Sequence, residues 1–176
     1  MSTLKVNSII PVGGVPTGGG GGIIQVKQIV KTDTFSYTGS TFVDVTGLSV
    51  AITPTSTSSK ILVLYDLCWG TSDGHVSMRL MRGSTMIKVG DAASNRTRCT
   101  GHWHDGGDQS GDKYDIVQHA GTILDSPATT SSVTYKIMVG TNDSTNNVCV
   151  NRSGNDSDAN WEGRTASAIT LMEVSA

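Results

Sequence analysis

From Ile23 onward the chain is a succession of short apolar-alternating runs cut by turn residues, and the recurring period is two. Ile23 to Lys31 is β-branched and apolar, and Phe35 to Tyr37 continues it before a turn at Gly39-Ser40. Thr41 to Val45 alternates, breaks at Gly47, and resumes as Leu48, Val50 and Ile52 ahead of Pro54. Ile61 to Trp69 is the most continuous apolar stretch and predicts a central strand buried on both faces. Val76, Met78 and Leu80 alternate with His75, Ser77 and Arg79, and Gly83-Ser84 turns this strand into a hairpin with Met86 to Val89. Asn95 to Trp103 reads as a further strand, followed by a loop at Asp105-Gly106-Gly107-Asp108. Tyr114 to Leu124 is strand interrupted at Gly121, and Val133, Tyr135, Ile137 and Val139 keep a clean period of two. Val148 to Val150 and Ala166 to Val174 complete the set. No 12-residue stretch carries helical periodicity. About ten strands at spacings of about 8–15 residues predict an all-β fold, a jelly-roll-like β-sandwich.

The first residues have a different character. Leu4 and Val6 fall on one side of an extended segment, and Ile9 and Ile10 end it at Pro11. A lone strand is unstable by itself, and an arm of this kind suits main-chain pairing with a partner's sheet edge. Gly18, Gly19, Gly20, Gly21 and Gly22 follow, a run that loses more backbone entropy on ordering than any other of its length. The expected division is residues 1–22 as anchoring arm and Gly-rich tether and residues 23–176 as β-sandwich body.

Composition narrows the function classes. Apolar residues make up 36% and charged residues 16% of the chain, with Gly, Ser, Thr, Asn and Asp filling the rest. A core that modest for 176 residues favours an oligomer, whose interfaces add burial. A formal net charge of −2 gives no case for a nucleic-acid partner. No window approaches the roughly 18 apolar residues of a membrane helix, and the N-terminus lacks the apolar core of a signal peptide. Cys68, Cys99 and Cys149 lack CxxC spacing and read as free thiols. The triplets at Asn95, Asn142, Asn151 and Asn155 match the glycan-acceptor pattern at the frequency expected of so Asn- and Ser-rich a chain.

Candidate chemistry is sparse. The glycine run lacks the preceding strand, following helix and Lys of a phosphate-binding loop. His102 and His104 flank Trp103 and, on a strand, would face one side, the spacing of a two-imidazole metal site. The neighbouring glycines speak instead for an exposed loop and for no metal or other cofactor. His75 and His119 stand alone in the sequence and read as surface or edge residues. Asp105, Asp108, Asp112 and Asp115, and Asp156 with Asp158, sit among Gly, Asn and Ser, where turn chemistry outweighs catalysis by paired carboxylates. Trp103 and Trp161 lie in polar stretches, where an indole is a corner plug or a sugar-stacking platform. Trp103, His104, Asp105 and Trp161 are therefore the candidate contacts to a host or glycan surface.

Several phrases carry a resemblance: Ser2-Thr3-Leu4-Lys5-Val6-Asn7-Ser8-Ile9, Thr41-Phe42-Val43-Asp44-Val45-Thr46-Gly47-Leu48, Ile52 to Ile61, Gly90 to Arg98, Leu124-Asp125-Ser126-Pro127 and Gly163 to Val174. The chain resembles the small tail-fibre and virion structural proteins of tailed bacteriophages, of the cyanophage and marine-phage type. The resemblance implies a non-enzymatic homotrimer located in the virion. Its arm, through Leu4, Val6, Ile9 and Ile10, would dock to tail or baseplate, and its head would meet a host surface glycan. A capsid decoration or cement protein, or a head fibre, is the alternative, and a glycan depolymerase a more distant one.

Overall fold

A computed structural model describes residues 22–104 and 112–175. The arm and Gly18 to Gly21 lie outside the described residues, as do Asp105 and Asp108. Eleven strands are described: β1 (Ile23–Lys31), β2 (Phe35–Thr38), β3 (Val43–Ile52), β4 (Lys60–Gly70), β5 (His75–Arg82), β6 (Thr85–Ile87), β7 (Gly101–His104), β8 (Val117–Asp125), β9 (Val133–Thr141), β10 (Asn147–Val150) and β11 (Ser167–Val174). A single 3-10 turn, Asp112–Tyr114, is the one helical piece among them, and no helix is long and apolar enough to cross a membrane.

The strands form two antiparallel sheets. In sheet A, β4 is flanked by β8 on one edge and by β11 and β10 on the other, with β1 and β2 outermost. In sheet B the order is β3-β9-β5, and β6 and β7 share the far edge of β5. Read as four lines per sheet, β1-β11-β4-β8 lies over β3-β9-β5-β7, and successive long strands alternate between the sheets. That winding is a jelly roll.

Side-chain alternation explains the layering. Ile61, Val63, Leu67 and Trp69 of β4 meet Val76, Met78 and Leu80 of β5 and Tyr135, Ile137 and Val139 of β9 in one core, each at most 1% exposed. Trp69 thus closes a core strand. The outward residues of β4 correct the expectation of two buried faces: Leu62, Leu64 and Asp66 are half-buried, so the strand is covered on one side only. The apparent break at Gly47 is a bulge within one strand. Register with β9 shifts between Asp44 and Ser49, and Gly47 adopts φ 82°. The extra residues switch the inward parity from Val43 and Val45 to Leu48, Val50 and Ile52. Gly121 does not interrupt β8 either; it leaves room for Tyr65, whose hydroxyl lies 2.6 Å from where a Cβ would stand. The strand expected over Asn95 to Trp103 shrinks to β7, because Asn95 to Arg98 are exposed and outside the ladder with β5.

Two polar knots close the ends. At the end where the described chain begins, Gly22 accepts a bond from the Ser175 amide, and Arg82 donates to both oxygens of Asp125 at 2.8 Å. Glu173 is fully buried there. Burial opposes its charge, but donors from Gln25 and from the Thr55 hydroxyl and amide outweigh it and hold its pKa at about 2. At the opposite end Asn151 is fully buried in the left-handed region at φ 62°. Its amide donates to the Lys31 and Asp33 carbonyls, and its oxygen accepts from Ser167 Oγ. Asn151→Ala should cost about 2–3 kcal/mol, since it strands buried partners and puts Ala at an unfavourable φ. Urea unfolding checks this, and a loss under about 0.5 kcal/mol, a typical surface value, would contradict the role assigned to Asn151.

Candidate functional site

Strand direction sorts the loops. The chain enters at Ile23, opposite Val174, and Val174 in turn pairs with Lys60 at the start of β4. Trp69 and Gly70 at the far end of β4 pair with β10. The connections 71–74, 142–146 and 151–166, and the 3-10 turn ahead of β8, therefore gather at the end remote from Gly22. Direct contacts bind them together. Asn142 accepts from the His75 amide, the Asn155 amide donates to the Lys113 carbonyl, and Gly154 lies against the backbone of Thr71. The spacing of Lys60 and Gly70 puts this tip roughly 30 Å from the base at 3.3 Å per residue.

Trp161 is the most exposed large apolar side chain at the tip, at 75% of its possible surface, and Tyr114 stands at 38%. An exposed indole offers a flat apolar face on which a ligand ring can stack. Its loop is nonetheless well tied. Glu162 accepts from Ser153 Oγ, Ser157 Oγ, the Ser157 amide and Asn155 Nδ2, and these bonds depress its pKa to about 2. Asp156 pairs with Arg164 at 2.6 Å and Arg152 at 3.3 Å. An open polar hollow of about 400 Å³, lined by Asp156, Ser157, Asp158, Ala159, Glu162 and Arg164, lies in the same loop. An exposed flat indole beside fixed polar groups is what a pyranose ring with equatorial hydroxyls can use.

The other candidates separate from Trp161. Trp103 pairs with inward-facing Val76 and packs against the core, so its indole is a plug and not an exposed platform. His102 and His104 are not in a loop: both project from the solvent side of β7. His75 is not isolated either. Its ring stacks on His104 with centroids 4.0 Å apart and on His102 at 5.3 Å. Sequence spacing showed only the i, i+2 pair; the third ring arrives through the pairing of β5 with β7. Among the described residues no group of three or more His, Cys, Asp or Glu is placed to hold a metal ion. The rings are instead linked by hydrogen bonds. Ser77 Oγ lies 2.9 Å from His102 Nδ1, and His102 Nε2 lies 3.2 Å from His75 Nδ1. Ser77 donating to His102, and His102 to His75, satisfies the chain with neutral rings. His119 also has company: it stacks on Tyr65 at 6.2 Å and sits under Gly101.

Burial, and then the proximity of His75 and His104, lowers the His102 pKa from 6.5. Burial, then the charge of Lys88, does the same for His119. A depressed histidine is protonated later in the folded than in the unfolded chain, so stability is lost as pH falls below about 6.5. The melting temperature should drop between pH 7.5 and pH 5, and His102→Gln should shrink that drop. Equal drops for His102→Gln and the wild type in matched thermal melts would refute the coupling.

No protein-family model and no curated protein matches the chain. Among solved structures, a chain of infectious bursal disease virus, Gt strain, is similar at 13% identity and a TM-score of 0.44, over 98% of this chain and 43% of that one. A chain of the Gx strain of the same virus is similar at 15% identity and a TM-score of 0.39, over 88% of this chain and 38% of that one. The protein thus spans less than half the length of either.

Proposed function

We propose that the protein is a non-enzymatic virion structural component, a short tail fibre. Its N-terminal arm docks to the tail or baseplate, and its head contacts a host-surface glycan through the Trp161 loop. One observation supports this above the others: the point where the arm joins the body and the exposed Trp161 lie at opposite ends of the sandwich. A part held at one end and binding at the other needs that polarity. The arm residues Leu4, Val6, Ile9 and Ile10 supply the docking contacts, and the body assembles with copies of itself.

The chemistry of the tip favours binding over hydrolysis. A general acid needs a carboxyl that is still protonated near neutral pH. Glu162 is held at about 2 by its donors, and Asp156 is engaged by two guanidinium groups. Both carboxylates act as loop staples.

Two measurements test the reading. Gold labelling of intact particles should mark the tail; label over the icosahedral shell would overturn the fibre role in favour of a decoration protein. Trp161→Ala should lower adsorption to host cells about tenfold or more, the scale of a lost aromatic stack and its buried area, with the circular dichroism spectrum unchanged. Undiminished adsorption would remove Trp161 from the contact.

A further inference from the structure

The two outer faces of the sandwich differ in character. The outer side of sheet B carries the Asp44–Lys136 ion pair, Arg79 over the Phe42 ring at 3.6 Å, and the histidine cluster. On sheet A, register places Val26, Met172, Leu62 and Leu124 directly opposite one another, a continuous apolar row across four strands. Val26 is 51% and Leu124 54% exposed, and Val30 on the same side is 49% exposed. Every large hydrophobic side chain that the described strands leave exposed belongs to sheet A. Strands of a self-sufficient sandwich alternate apolar-in and polar-out. Here β4 is apolar on both sides, with Ile61 and Val63 inward of Leu62, and β11 sets Leu171 inward of Met172.

We propose that this face of sheet A is a contact between copies of the chain, with the row Val26-Met172-Leu62-Leu124 at its centre. The face carries both halves of such a contact. Beside the ridge lies an open depression of about 510 Å³, floored by the small residues Ala120, Gly121, Thr122 and Thr170. A ridge and a socket on one face make it complementary to a rotated copy of itself. Its extent is adequate. Four strands at about 4.8 Å and nine residues at about 3.3 Å give a footprint of roughly 570 Å². Two such faces come to roughly 1,100 Å², above the roughly 1,000 Å² that a specific interface needs. One carboxylate, Asp66, lies in the depression; burial already raises its pKa, and Gln118 bonds to it.

This surface assignment stands or falls separately from the tail-fibre role. The full-length protein is examined by sedimentation velocity across about 1–100 µM, as wild type, as Leu124→Lys, and as Lys136→Ala on sheet B as control. The wild type and the control should sediment as one oligomer. Leu124→Lys should run as monomer with unchanged circular dichroism, because the side chain it replaces is already half in water. A monomeric wild type would overturn the proposal and leave the face to another occupant. An oligomer undisturbed by Leu124→Lys and by Val26→Asp would equally overturn it, while leaving self-association through another surface, and the virion role, intact.

Discussion

The structure depends on the insertion of the last strand, β11, between β1 and β4. Residues 167–174 must find partners more than 100 positions earlier on both edges before sheet A exists. No local hairpin can substitute for that pairing, and contacts this distant in sequence make folding slow. The consequence for function is positional. Because β11 runs antiparallel to both neighbours, the chain's first described residue and its last strand end lie together at the base. The connections after β4, β9 and β10 then fall at the tip.

Buried carboxylate and amide chemistry makes that insertion specific. Hydrophobic alternation alone would tolerate a slip of β11 by two residues, since every second position stays apolar. Glu173 does not. Shifted by two, it would lose Gln25 and Thr55 and sit desolvated without donors, a penalty of several kcal/mol. Ser167, at the other end of the strand, must meet both Asn151 and the Cys68 amide. The two polar residues act as a pair of register pins on an otherwise degenerate strand.

Period-two patterning made most of the fold legible. The strands at residues 23–31, 75–82, 133–141 and 167–174, and the jelly-roll winding, follow from it and from the turn residues between. What escaped was whatever depends on pairing across distance. The bulge at Gly47 looks like a strand break because parity changes there, and only register with β9 shows that pairing continues. Ile61 to Trp69 looked buried twice over because outward Leu62 and Leu64 are as apolar as inward Ile61 and Val63; no single-chain pattern distinguishes a core from an unfilled contact. The site was legible in part. Trp161 in a polar loop fitted a plug as well as a platform, and the structure leaves it exposed. Trp103, in an equally polar stretch, is turned inward by one strand register opposite Val76. His75 lies 27 residues from His102, so nothing local could announce their contact.

The remaining tension is between a tip that is chemically rigid and an indole that it leaves in water. Serine, asparagine and arginine staples on Glu162 and Asp156 fix the loop backbone before any partner arrives. Ordering a loop on binding costs free energy that must come out of the affinity, about 0.5–1.5 kcal/mol for each side chain immobilised. A loop already ordered avoids that cost, and an aromatic platform held by it can bind weakly interacting rings with little further loss. If several copies stand side by side, those weak contacts combine through effective concentration instead of through tighter individual fits. On the proposed reading, a rigid, exposed tip and an apolar flank are two aspects of one arrangement: the flank would supply the multiplicity that a shallow tip contact requires.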